Sequence, residues 1–339
     1  MTTNLARTLA LAALATASIF AAACSTNPTT GRKQFTSLSR DEEVHIGMTE
    51  GPKMTQEFGG EVPDPRLRAY IDEVGQKLKN YTEVDGPTRT WTFTLLDSDV
   101  INAFALPGER VFMSRGLSDQ LTSEAQLAGV LGHEIGHVMA RHTSERLAQS
   151  QYVGLGAQLL GAIAGASTKN ATAAQAIPQL VGAGGQVIVL KFGREQESEA
   201  DSLGMRYMTK AGYNPRGQLQ VMEVLKRESG GGGSIEWLST HPAPQTRIDD
   251  IKHALATTYA YTQSGPQAGN FQDYTDRYRQ RYLSLRELSP TPPKKKAALP
   301  IDEHGRTRVL AAVNLDDPTT WCSACRDRAH AEHRINVQP

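Results

Sequence analysis

The residues most able to do chemistry are His133-Glu134-Ile135-Gly136-His137. Positions i and i+4 of an α-helix stand one above the other on a single face, so two imidazoles at that spacing can reach one ion. Glu134 projects about 100° from His133 around the helix, toward the same cleft edge, where its carboxylate can hold a water beside the metal. A purely structural zinc site has no use for that glutamate. A catalytic zinc takes three protein ligands and keeps a fourth position for water, so one ligand must come from elsewhere. Glu195-Gln-Glu197-Ser-Glu199-Ala-Asp201 offers four acids about 60 residues downstream. Their spacing alone does not choose among them, and an acidic run on a helix is commonly a solvated face.

These groups need helices to hold them. Ser123 and Gln126 form a capping-box signature, and the pattern predicts a helix from there to about Gln149. Leu127, Val130, Leu131, Ile135 and Val138 give it a buried stripe. Helices are also predicted over Ser39–Phe58, Arg66–Asn80, Gly193–Gly212, Pro215–Arg227 and Gln245–Thr257. Strands are predicted over Trp91–Leu96, Ile101–Ala105 and Arg110–Met113, the last two joined by a Pro107-Gly108 turn. The fold class is therefore mainly α with a small β-sheet.

The organisation along the 339 residues follows from composition. Residues 1–23 read as an export signal: Arg7, an apolar run, then Ala21-Ala22-Ala23-Cys24. The small residues before Cys24 resemble a bacterial lipobox, in which the cysteine is acylated and becomes the mature N-terminus. Ser25 after it implies delivery to the outer membrane, and the polar stretch to Gly31 suits a flexible tether. Residues 24–60 are thus tether and helix, and 61–262 the catalytic domain. The span 263–300 is a polar, tyrosine-bearing helix followed by a Pro/Lys linker, and 301–339 a C-terminal extension. A Gly/Ala-rich segment, 152–189, lies between the two chemical motifs. Cys322 and Cys325 in the tail are expected to form a local disulfide in an exported protein. With 36 basic and 36 acidic residues, nothing electrostatic calls for a nucleic-acid partner.

His133-Glu-x-x-His137 followed by Glu197-x-Glu199-Ala-Asp201 resembles the zinc proteases that include the CAAX prenyl endopeptidases, HtpX-like membrane proteases and BepA/LoiP-like periplasmic lipoproteins. The resemblance covers roughly residues 24–260 and implies a zincin-like domain, its motif helix packed against the helix bearing the third ligand. It implies one zinc per chain held by His133, His137 and Glu197, with Glu134 as general base and Asp201 orienting a ligand histidine. Ile101-Asn102-Ala103-Phe104-Ala105 is similar to the family's edge strand, which makes Asn102, Ala103 and Phe104 candidates for substrate binding. Glu109 stands where relatives commonly carry a second glycine. Thr240-His241-Pro242 with Arg247 is similar to the family's His-Pro…Arg element. His241 then has three readings: transition-state helper, latch on the fourth metal position, or helix-entry residue. Either His241 or Arg247 is a candidate to stabilise the oxyanion. Four other histidines (45, 142, 253 and 304) read as surface residues.

The function implied is a zinc-dependent endopeptidase acting on protein or peptide substrates of the cell envelope. Its expected place is the periplasmic side of the outer membrane, anchored through Cys24, or the soluble periplasm if the signal is cut without acylation. The alternative is a periplasmic chaperone or outer-membrane assembly factor with a latent metalloprotease site.

Overall fold

The computed structural model describes residues 24–36, 38–149, 191–229, 236–241 and 244–289. The export signal, the Gly/Ala-rich segment, the Gly230–Gly233 run, the Pro/Lys linker and the Cys322/Cys325 tail lie outside the described residues. A hairpin of β1 (Cys24–Thr26) and β2 (Lys33–Phe35) precedes helices α1 (Arg40–Glu57) and α2 (Pro65–Lys79). Strands β3 (Thr92–Leu96), β4 (Ala103–Leu106) and β5 (Arg110–Ser114) form a sheet in the order β3-β5-β4, with β3–β5 parallel and β4–β5 antiparallel. Helices α3 (Glu124–Met139), α4 (Arg194–Lys210), α5 (Arg216–Ser229) and α6 (Pro244–Ala256) follow. Among the described residues, no helix is long and apolar enough to cross a membrane.

Local chemistry accounts for the boundaries. Ser39 and Glu42 close a reciprocal capping box on α1, and Asp64 with Pro65 opens α2. On α3 the Ser123 hydroxyl accepts from the Gln126 amide, while the Gln126 side chain reaches back one residue further, to Thr122 N at 2.8 Å. The turn between β4 and β5 carries Gly108 at φ +78° and Glu109 at φ +62°. A residue with a Cβ gives up about 1–2 kcal/mol in that left-handed region. At Glu109 the loss is offset by its buried carboxylate, which accepts from Arg89 Nη1 at 2.7 Å.

Two sequence expectations are corrected. The motif helix ends at Met139 rather than near Gln149: Arg141 turns left-handed (φ +57°), and residues 142–149 form a separate helical stretch. The polar run after Cys24 is a docked hairpin rather than a free tether. Its buried Asn27 donates through Nδ2 to Met139 O at 3.1 Å, satisfying a carbonyl that the end of α3 leaves open.

The main core lies between α2, the inner face of the sheet, α3, α4 and α5. Tyr278 and Tyr282, from the polar segment after residue 262, are fully buried in the same core, and Tyr278 donates to Ser118 O at 2.7 Å. A smaller cluster around Ile46, Phe58 and Phe112 seats α1 on the other face of the sheet. Helix α3 sits at the centre: all sixteen of its residues, Glu124 to Met139, are buried. The motif is therefore built on a helix that is buried along its whole length.

Candidate active site

Helices α3 and α4 meet through small residues, and this is what brings two acids and two histidines together. A Cβ added to Gly136 would lie 2.7 Å from Ala200 O, and one added to Gly204 would lie 2.8 Å from His133 N. Gly132 and Gly136 on α3 thus face Ala200 and Gly204 on α4, both pairs at i,i+4. The same period sets His133 and His137 opposite Glu197 and Asp201. Gly136→Ala is expected to cost about 1–3 kcal/mol by overpacking and to weaken metal binding, because the helices must move apart at the site. Thermal unfolding and zinc titration of that variant check both effects.

His133, His137, Glu197 and His241 place one ligand atom each within 4.8 Å of one another, and all four are buried. His133 Nε2 lies 3.1 Å from His137 Nε2 and 3.3 Å from His241 Nδ1. Glu197 Oε1 lies 2.9 Å from His241 Nδ1 and 3.5 Å from His137 Nε2. The donor set fits a metal on its own chemistry. His133 Nδ1 is 2.8 Å from Asp201 Oδ1, and a carboxylate only accepts, so the proton of a neutral His133 sits on Nδ1. Its Nε2 is then a lone pair, turned toward a second imidazole nitrogen and a carboxylate. Burial also holds the His133 imidazole down to about 3, so the ring is neutral near pH 7. Lone pairs converging in a dry pocket call for a cation between them, and imidazole with carboxylate is a donor set that suits zinc.

Arg247 secures the acids. Its Nε and Nη2 each lie 2.6 Å from an oxygen of Asp201, and its Nη1 lies 2.6 Å from Glu197 Oε2. Gln218 Nε2 adds a further hydrogen bond to Asp201 at 2.8 Å. Burial disfavours ionisation of Asp201, yet Arg247 and then His133 hold its carboxyl well below the usual carboxylate range. Glu197 is likewise held low against burial by His241, His137 and Arg247. The guanidinium is buried between the two carboxylates; Nε and Nη2 are hydrogen-bonded to Asp201, while Nη1 meets Glu197 as an ion pair and makes no hydrogen bond among the described residues.

Residues 65–255 match the sequence profile of Peptidase family M48, more than half of the chain. This chain belongs to that family. It is a metallopeptidase of the hydrolase class, and the close approach of His133, His137 and Glu197 fits a zincin-like site. Among curated relatives, this M48 peptidase is 29% identical over 240 residues to the Beta-barrel assembly-enhancing protease of Escherichia coli, covering 69% of this chain and 48% of that protein. It is 28% identical over 258 residues to the Mitochondrial metalloendopeptidase OMA1 of Schizosaccharomyces pombe, covering 73% of each. The chain spans about half the length of the bacterial relatives it matches.

Several groups around the M48 site escaped the sequence reading. Trp237 donates from Nε1 to Glu134 Oε1 at 3.4 Å, and its indole stacks on His241 with centroids 4.6 Å apart. Phe192 covers His137 at 4.1 Å. These rings exclude water, and burial pushes the Glu134 carboxyl up to about 7, against the pull of His137. His142 is a correction. Expected at the surface, it is fully buried, with Nδ1 2.9 Å from His137 Nδ1 and Nε2 2.9 Å from Glu199 Oε2. A continuous helix would carry it about 140° past His137, and the left-handed Arg141 turns it back. His45 is half-buried and His253 exposed. Asn102 is buried just before β4, its Nδ2 bonded to Glu236 Oε2 at 3.2 Å, and Ala103 lies in the main core. Phe104 stacks on Phe112 at 4.9 Å on the far face of the sheet.

Proposed function

We propose that this chain is a zinc-dependent endopeptidase that hydrolyses peptide bonds in proteins of the cell envelope, in processing or quality control. The observation that carries the reading is the buried convergence of His133, His137 and Glu197, with the buried Glu134 beside them on the same helix as the two histidines. One zinc ion held by those three ligands supplies Lewis acidity, lowering the pKa of a water toward about 7 and polarising a carbonyl. Glu134 takes a proton from the attacking water and delivers it to the leaving amine. Asp201 keeps His133 in the tautomer that presents Nε2. Arg247, a candidate to stabilise the oxyanion, also helps to hold Asp201 and Glu197 ionised. The backbone of Asn102 to Phe104, at the edge of the sheet, aligns an extended peptide by strand addition.

His241 supports a latch. It stands among the cluster's ligand atoms, so with a metal bound there His241 would compete with water for the open position, and Trp237 stacks against its ring. The assembly-factor reading draws on the same feature, together with the name of the bacterial relatives. An envelope location rests on the export signal and the Cys24 lipobox, both sequence features. Zinc analysis and casein cleavage by the mature chain test the proposal. The expected result is one zinc per chain, cleavage abolished by a chelator and restored by zinc, and a rise in turnover in His241→Ala. A fall in that variant returns His241 to the transition-state role, and a chain without zinc sinks the ligand assignment.

A further inference from the structure

The two imidazoles of the motif are supported differently. His133 leans directly on a carboxylate, Asp201, at 2.8 Å. His137 leans on another imidazole, and the carboxylate comes one step later: His137 Nδ1 to His142 Nδ1 at 2.9 Å, then His142 Nε2 to Glu199 Oε2 at 2.9 Å. The order of the protons follows from the end of the chain. Glu199 only accepts, so His142 carries its proton on Nε2 and leaves Nδ1 as a lone pair. That lone pair accepts the Nδ1–H of His137, and His137 is thereby left with its Nε2 lone pair directed into the cluster.

Glu199 is in turn held from the N-terminal segment. Arg32 Nε lies 3.2 Å from Glu199 Oε2, and its two terminal nitrogens bind Glu145 at 2.8 and 2.9 Å. Glu145 belongs to the helical stretch 142–149 that carries His142, and it also accepts from Gln196 Nε2 at 2.9 Å. Arg32 follows the β1–β2 turn, whose Asn27 is fastened to the end of α3. The relay therefore joins three parts of the chain: the docked hairpin, the stretch after the Arg141 break, and α4.

We propose that His142 and Glu199 are positioning residues for the metal, fixing the tautomer and ring plane of His137, with Arg32 of the N-terminal hairpin holding Glu199 in place. The inference rests on the reading of the cluster as a zinc site. In such relays the outer partners are worth about 10- to 100-fold in metal affinity. A group two bonds from the metal acts on ligand geometry, so the signature is spectroscopic as well as thermodynamic.

The test uses the mature chain, with zinc affinity measured by competition against a chromophoric chelator and with the visible absorption of the cobalt(II)-substituted protein. His142→Phe is expected to weaken zinc about 10- to 100-fold and to shift the cobalt bands. Glu199→Ala, at a half-exposed position that tolerates truncation, is expected to give a smaller loss in the same direction. Glu199→Gln restores much of it, because an amide oxygen still accepts from His142 Nε2. Circular dichroism certifies the fold of each variant. Folded His142→Phe and Glu199→Ala proteins with wild-type zinc affinity and unchanged cobalt spectra overturn the proposal. A wild-type chain that binds neither ion overturns the zinc reading beneath it.

Discussion

Glu134→Gln is expected to lower proteolytic turnover by about 10²- to 10⁴-fold while leaving one zinc per chain bound. The two halves of that result have separate causes. Glu134 stands beside the four-residue cluster without contributing to it, its Oε1 3.7 Å from His241 Nε2, so removing its charge leaves the ligand atoms in place. Glutamine has the same shape, and its amide oxygen can still accept the long hydrogen bond from Trp237 Nε1. What it cannot do is accept a proton from water. Stability should hold or rise, because the variant no longer keeps an ionisable carboxyl in a pocket that pushes its pKa to about 7. Metal analysis, thermal unfolding and peptide cleavage on one preparation check all three. Turnover within a few-fold of wild type would remove Glu134 from the chemistry. A cellular phenotype indifferent to the substitution would favour the assembly-factor reading over proteolysis.

Much of this site is periodic, and periodic features are legible in a sequence. His133 with His137, Glu197 with Asp201, and Gly132 with Gly136 all repeat at i,i+4, and a helix turns each pair onto one face. Capping residues and the Pro107-Gly108 turn marked element ends to within a few residues. The features that were not legible depend on a single backbone angle or on a tertiary partner. Arg141 has no chemistry that advertises a left-handed conformation; it is held there by the tertiary contact of its Nε with Glu43 Oε1 at 2.7 Å. Missing that break extended the motif helix and put His142 on the wrong face. Arg247 was noticed for its place after a His-Pro pair, but only the packing of α6 against α4 shows that it meets Asp201 and Glu197. Polar composition hid Tyr278 and Tyr282 from the core, because their rings bury while the arginines between them stay at the surface.

Arg247→Met is the substitution expected to cost the fold most, and the cost should depend on metal. Methionine fills much of the buried stem but leaves Asp201 and Glu197 facing one another without the cation that now lies 2.6 Å from each. Breaking a buried pair by removing one partner costs about 3–5 kcal/mol. Zinc brings two positive charges to the same carboxylates, so the loaded variant should recover a large part of that loss. The chelator-treated variant should not. The pH dependence has a definite sign. In the wild type both carboxyls titrate below their unfolded values, so the stability they carry is complete above the ordinary carboxylate pKa of about 4 and fades as pH falls through the folded values. In the metal-free variant Asp201 loses the partner that does most to hold it low, so burial raises its carboxyl; protonation relieves the strain there, and the deficit against wild type should shrink on acidification. Arg247→Lys should rescue only in part, since a single ammonium cannot reproduce two bonds to Asp201 and the contact with Glu197 together. Unfolding midpoints of the three proteins, with zinc and with chelator, at neutral pH and near pH 4, decide the matter. A deficit of equal size in all four conditions would mean that Arg247 contributes packing alone, and that Glu197 owes its ionised state to the histidines around it.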